Sequence, residues 1–321
     1  MHPNDNSTKM NTIKKFLLIL LVAFAATAAR AQQDAMYTHY MYNTLSVNPG
    51  YAGTRDALTA TLLHRSQWVG FDGAPVTQTF TLHSPAFREN IGLGFAVVND
   101  KIGPLHNTSA TGDFSYRIRV TQKSQLAFGL KAGLNIMQAN LNALSLDQQA
   151  DLAFQNNLNS KLLPNFGFGV YYFRDRFYAG LSTPKLLQNN FKTNEVSGSA
   201  TILSEKRHFF FITGAVFNLS KSVVFKPTTF IKATVAAPVE ADLTATFILE
   251  KRIYAGAMFR TGDALGVLAG YDINDQFHVG YSYDWSYGIR TLKQNSGSHE
   301  LILTYDFIYK DKQKVRSPRY F

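Results

Sequence analysis

Cysteine is absent from the 321-residue chain, which excludes disulfide staples and thiolate metal centres. Charge is scarce too: Asp, Glu, Lys and Arg make up 17% of the residues, against roughly 25% in an average soluble protein. The apolar run Phe16–Ala28 falls short of the roughly 20 residues that a spanning helix needs. Catalytic signatures are missing as well, with no G-x-S-x-G, H-E-x-x-H, P-loop or complete G-x-G-x-x-G. The eight histidines are isolated, without the paired spacing of a metal site. These absences lead to the expectation of a non-enzyme without cofactor or metal. The net charge of +10 is scattered along strands and turns, with no basic helix or nucleic-acid module, so nucleic acid is not an expected partner.

What is present is aromatic and alternating. Aromatic residues make up 13% of the chain, and its mean hydropathy is near zero, at −0.11. That balance fits a transmembrane β-barrel, whose apolar outward side chains offset polar inward ones. In Phe277–Trp285 every odd position is apolar or aromatic, and every even one small or polar. Leu301, Leu303, Tyr305 and Phe307 repeat the pattern against Thr304 and Asp306. Period two follows from strand geometry, which sends successive side chains to opposite faces.

Strands are predicted near 57–67, 76–84, 91–100, 108–120, 125–141, 163–173, 177–184, 207–218, 223–235, 241–250, 253–261, 264–273, 276–286 and 299–309. That makes about fourteen, an even number, as a closed antiparallel barrel with both ends on one side requires. Connections after even strands are short, whereas all the long ones, near 142–162, 185–206 and 287–298, follow odd strands. Outer-membrane barrels segregate loop length in this way, short turns in the periplasm and longer loops outside. Inward positions are expected to carry Arg65, Asp113, Arg117, Arg119, Lys131, Lys226, Lys232, Asp242, Arg260, Asp272, His278, Asp284, Glu300 and Asp306. Strand-end aromatics Trp68, Phe71, Tyr172, Phe177, Tyr254, Trp285, Tyr287 and Tyr309 are placed in interfacial girdles. Glycines of Gly92-Leu93-Gly94 and Gly167-Phe168-Gly169 read as inward positions where another segment comes close.

The ends differ from this pattern. Lys14 and Lys15, the Phe16–Ala28 run and Ala29-Arg30-Ala31 form a secretory signal with cleavage expected before Gln32, Met10 being an alternative start. Residues 1–31 are therefore assigned to the signal peptide, 32–56 to a periplasmic or plug segment packed against or into the periplasmic mouth, 57–309 to the barrel and 310–321 to a basic periplasmic tail. Both termini would then lie in the periplasm. Arg174, Arg176, Lys221, Lys251 and Arg252 make the short turns basic, on the same side as the tail. In the tail, Arg316, Pro318, Arg319, Tyr320 and Phe321 form a compact group suited to docking. Phe154 and Phe191, on the long loops, are apolar residues placed to meet a partner.

Four motifs in order, "YMYNTLSVNPGYAGT" (Tyr40–Thr54), "HRSQWVGFDGAPVTQT" (His64–Thr79), "NDKIGP" (Asn99–Pro104) and "SPRYF" (Ser317–Phe321), resemble the PorP/SprF family. Its members are outer-membrane barrels of the Bacteroidetes type IX secretion system. Gly50 departs from the family pattern, which usually has Ala there, while Asn48, Pro49 and Tyr51 are in place. The resemblance implies a non-enzymatic outer-membrane component that acts by protein–protein contact, in export or in surface attachment of cargo such as a gliding adhesin. Implied partners are other secretion subunits, whether periplasmic ring or translocon, the C-terminal domain of a secreted surface protein, and outer-membrane lipid. The alternative from the residues alone is a general diffusion porin.

Overall fold

A computed structural model describes residues 36–86, 90–140, 158–192, 201–204, 206–235, 237–287 and 296–308. Strands alternate faces along the described chain because the sequence alternates. On β1 (Leu58–Ser66), Leu62 is 53% exposed while the inward Arg65 is 2% exposed. The next strands are β2 (Val76–Pro85), β3 (Ile91–Ile102), β4 (Leu105–Thr121), β5 (Ser124–Ala139), β6 (Leu158–Arg174) and β7 (Phe177–Thr183). A small separate hairpin follows, β8 (Asn190–Lys192) with β9 (Thr201–Ser204), in what the sequence reads as loop. The wall resumes with β10 (His208–Ala215), β11 (Phe217–Asn218), β12 (Val223–Thr234), β13 (Glu240–Leu249), β14 (Ile253–Arg260), β15 (Ala264–Asp272), β16 (Phe277–Ser286) and β17 (Ser298–Phe307).

Each wall strand pairs antiparallel with its neighbours, β1 closes on β17, and β10 pairs with both β7 and β12. The two-residue β11 pairs only with β12. Set it aside and fourteen strands form one closed cylinder. Closure leaves no unpaired edge, as a wall surrounded by hydrocarbon requires. The outward face is apolar: Leu181, Phe166, Trp285, Leu265 and Leu162 are each at least half exposed. For an ordinary soluble protein that surface would be an aggregation hazard. Here it is the lipid contact of a transmembrane barrel.

The long connections all leave one end, although the tight β3–β4 and β14–β15 hairpins lie there too. Hairpins after β2, β4, β6, β13 and β15 are tight, and the ends of the wall, Leu58 and Phe307, lie beside them. Connections 140–157, 184–207 and 287–297 leave from the other end. Two side-chain expectations change. Arg119, expected inward, is exposed at the end of β4, where a bulge between Arg119 and Thr121 breaks the register. Tyr254, expected in a girdle, points inward at 7% exposure, because its odd-numbered neighbours Ile253 and Ala255 take the outward face.

Candidate functional site: a wired lumen

Residues 36–57 lie inside the cylinder. The last of them, Arg55–Ala57, lie beside the start of β1. Lack of period two is the local reason that this segment joins no sheet. It folds instead as a short helix α1 (Thr44–Val47) and a 3-10 turn over Pro49–Tyr51. Asn48 is extended, at φ −139° and ψ 111°, as a residue before proline should be. Its Oδ1 accepts from the Gly50 N–H at 2.8 Å, capping the 3-10 turn. Gly53 takes φ +72°, where side chains are disfavoured.

The first arm of the segment is held by charge. Glu300 on β17 accepts from the backbone N–H groups of Thr38 (2.9 Å) and His39 (2.7 Å), and pairs with His39 Nδ1 at 2.8 Å. Arg65 on β1 bridges Glu300 (3.1 Å), Asp284 on β16 (2.7 Å) and the Thr38 hydroxyl (2.9 Å). Thr38 also donates to Asp284 at 2.7 Å. Beside this group Arg260 on β14 makes a two-pronged pair with Asp242 on β13, both contacts 2.9 Å, and reaches the Tyr37 carbonyl at 3.4 Å. Every one of these charges is almost wholly buried. Such charges persist only when paired and hydrogen-bonded.

Further along, Tyr40 lies against Phe230 with centroids 5.0 Å apart, and its hydroxyl meets Thr228 and Thr244. Lys226 sits over the Tyr42 ring at 4.7 Å. Burial pushes the Tyr40 and Tyr42 hydroxyls well above the usual tyrosine range, so both stay neutral. Lys131 on β5 donates to the Leu45 carbonyl while pairing with Asp113 on β4 at 3.1 Å. Ser182 on β7 donates to the Val47 carbonyl at 2.7 Å, and Ser115 on β4 to that of Ala52 at 2.7 Å. Arg55 leaves by pairing with Asp306 at 3.1 Å.

The second arm lies on a bare patch of wall. Gly129 on β5 faces Gly169 on β6, and Gly180 on β7 is two strands away. A Cβ at Gly129 would collide with the backbone of Pro49 and Gly50, and one at Gly169 with the Asn48 side chain. Without them, Asn48 Nδ2 reaches the carbonyls of Val170 (3.1 Å) and Leu181 (3.4 Å). Tyr51 packs edge-on against Tyr171 and His83. Tyr37, Tyr40, Met41, Leu45, Tyr51 and Ala52 thus share one apolar cluster with inward Leu63, Ala127, Tyr171, Tyr178, Ile212 and Ile302.

Of the residues singled out in the sequence, the structure brings Asn48, Pro49 and Tyr51 together on this wall. Trp68 and Phe71 lie on the β1–β2 loop, Phe71 about half exposed at 49%. That loop is tied down: Val69 N donates to Gly297 O, Ser296 N to Val69 O, and Gly103 N to Gly73 O. Phe191 falls on β8, which pairs with β9 and not with the wall strands. Phe154, Tyr309, Arg316, Pro318, Arg319, Tyr320 and Phe321 lie outside the described residues. Glu300 and Arg65 were legible as inward charges, but Thr38 and His39 as their partners were not. The available signal was an aperiodic, tyrosine-rich segment facing inward charges of both signs.

The family model for type IX secretion system membrane protein PorP/SprF matches residues 29–305. No curated protein matches the chain. Among solved structures, the toluene transporter TodX of P. putida is 8% identical, with TM-score 0.48, over 83% of this chain and 94% of that one. The CymD monoaromatic hydrocarbon channel is 11% identical, with TM-score 0.47, over 83% and 93%. Acinetobacter baumannii Omp33 is 11% identical, with TM-score 0.45, over 79% and 100%. Likeness at this level bears on neither transport nor ligand, and the barrel rests on its own strand pairing.

Proposed function

Because the chain belongs to the PorP/SprF family of type IX secretion system membrane proteins, we propose that it serves secretion through its surfaces and not as a channel. One observation carries this reading: the lumen is occupied by residues 36–57, bonded to strands around the wall. A diffusion porin needs a water-filled lumen, whereas beside the segment the described lumen keeps a cavity of about 130 Å³, lined by Tyr37, Ser46 and Val47 and by wall residues such as Asp100, Asn135 and His208. In the reading proposed here the long-loop end faces outward and meets the C-terminal domain of a secreted surface protein. The short-turn end faces the periplasm, where Arg174, Arg176, Lys221, Lys251 and Arg252 are all exposed. Together with the tail from Lys310 they offer a basic surface to periplasmic secretion subunits.

Removing about half of loops 142–162 and 185–206, within the tolerance usual for loop tips, tests the outward contact. Barrel level in the outer membrane should stay normal while cargo at the cell surface falls. Undiminished display with a normal barrel would overturn the outward contact.

A further inference from the structure

The outward face of the wall is not uniform. On β6, β7, β10 and β12 through β16, outward strand positions among the described residues carry no charged, imidazole or amide side chain, apart from Arg174 at the last residue of β6. The sector from β17 through β5 differs at its long-loop end. His299, His64, Gln78, Asn99, Lys101, His106 and Gln138 all take outward positions there.

The register sets these groups side by side. His64 faces Gln78, Gln78 faces Asn99, and Asn99 faces Thr108, whose hydroxyl donates to Asn99 at 3.0 Å. One step nearer the rim, Lys101 faces His106. With strands about 4.8 Å apart, His64 to Thr108 spans about 14 Å of wall. Immediately below lies a groove of about 400 Å³, lined by Leu62, Phe80, Val97, Leu301 and Leu303, with His64, Gln78 and Asn99 along its edge. No outward strand position in this sector carries an acid among the described residues.

We propose that the outward face of β1–β4 at the long-loop rim binds a phosphorylated glycolipid of the adjoining leaflet. An acyl chain fits the apolar groove, which directional polar groups alone would not explain. The donors and acceptors above it, the amides of Gln78 and Asn99 and the His64 ring among them, are laterally spread, matching the hydroxyls of a saccharide better than a compact glycerophosphate head. Lys101, with His106 opposite, stands where a phosphate would meet it, and basic pockets on membrane proteins recognise headgroups in this way. The outward strand positions themselves add no acid to repel such a ligand; the acid at this rim is Asp72, on the β1–β2 loop that bonds Gly103 through Gly73. The proposal rests on the outward orientation given above, but its test reads lipid retention and not secretion.

The full barrel is purified in mild detergent, incubated with lipid A, phosphatidylglycerol or phosphatidylcholine, and weighed intact by native mass spectrometry. Lipid A should be retained over both phospholipids. The triple variant His64→Ala, Lys101→Ala, His106→Ala should lose about tenfold in retention, equivalent to 1.4 kcal/mol. The pair Gln78→Ala, Asn99→Ala should weaken lipid A while leaving phosphatidylglycerol unchanged. Heat-modified mobility on gels checks that each variant remains a folded barrel. A variant that fails this check is replaced by Lys101→Gln with His106→Gln, which keeps side-chain volume. Equal retention by wild type and variants overturns the site. Equal binding of phosphatidylglycerol and lipid A overturns the saccharide assignment, and a polypeptide occupying this face in place of lipid overturns the ligand class.

Discussion

Glu300 is the residue on which the descending arm of the lumen segment depends. It accepts four contacts, from Thr38 N, His39 N, His39 Nδ1 and Arg65, while fully buried. Removing one partner of a buried charge network costs about 3–5 kcal/mol, because the remaining charge is left uncompensated. Glu300→Ala leaves Arg65 with Asp284 as its one acidic partner beside the Thr38 hydroxyl, and deprives two backbone donors of their acceptor. Amide hydrogen exchange at Thr38 and His39 should accelerate on the order of 100-fold, which corresponds to about 3 kcal/mol of lost local protection. The amides of β14 and β15, which do not touch Glu300, should keep their rates. Uniform acceleration around the barrel would mean instead that the wall itself depends on Glu300. Glycine gives a second contrast at this scale. A Cβ at Gly50 would come within 3.1 Å of the Asn48 side chain and of Tyr171 Cβ. With Tyr171 N also 3.2 Å away, a shift of a few tenths of an ångström is needed, so Gly50→Ala should cost about 1 kcal/mol, well below Gly129→Ala. Gly129→Ala meets backbone that cannot swing aside, and should release Asn48–Tyr51 to added protease while Gly50→Ala does not. Equal protection of the two variants would show that the segment does not lie on this wall.

At the scale of elements, legibility in the sequence followed periodicity. Phe277–Ser286 and Ser298–Phe307 announce themselves because outward lipid and inward polar groups impose strict alternation. The β8–β9 hairpin was read as loop because β8 and β9 are only three and four residues long, too short for alternation to register. Tyr254 was misassigned for a different reason. An aromatic at a strand end fits a girdle or a lumen equally well, and only its phase against Ile253 settles which. The lumen segment was the hardest to place, since its bonds join Thr38 to Glu300, 262 positions away, and nothing local encodes that pairing. Motif resemblance marked Asn48, Pro49 and Tyr51, but their purpose becomes physical only beside Gly129 and Gly169. The glycines and the motif belong to a single contact, written in two distant stretches of chain.

For the whole molecule, the question is whether a barrel of this size conducts. Its inner wall carries Arg65, Lys131, Lys226, Arg260, Asp242, Asp284 and Glu300, a lining that would hold water well if it were empty. Residues 36–57 occupy much of that space, sharing a buried apolar cluster with Tyr171, Tyr178 and Ile302. Each buried aromatic of the segment contributes about 1.5–3 kcal/mol, and the ion pairs fix its register more than they add to that sum. The segment should therefore stay in place under an applied voltage. In planar bilayers the intact protein should show no stable open-pore current. Excising residues 36–54, which leaves Arg55 and the start of β1, should produce ohmic pores provided the shortened chain still shows a barrel's heat-modified mobility. Glu300→Ala should fall between these two, with brief openings as the Tyr37–Tyr42 arm leaves while Asn48–Tyr51 stays seated on its glycines. Large steady currents through the intact protein would remove the basis for assigning it a role through surface contacts and return the diffusion porin as the better reading. Silence from the excised barrel would place the block in the long loops, and the lumen segment would then be a brace for the wall and not its plug.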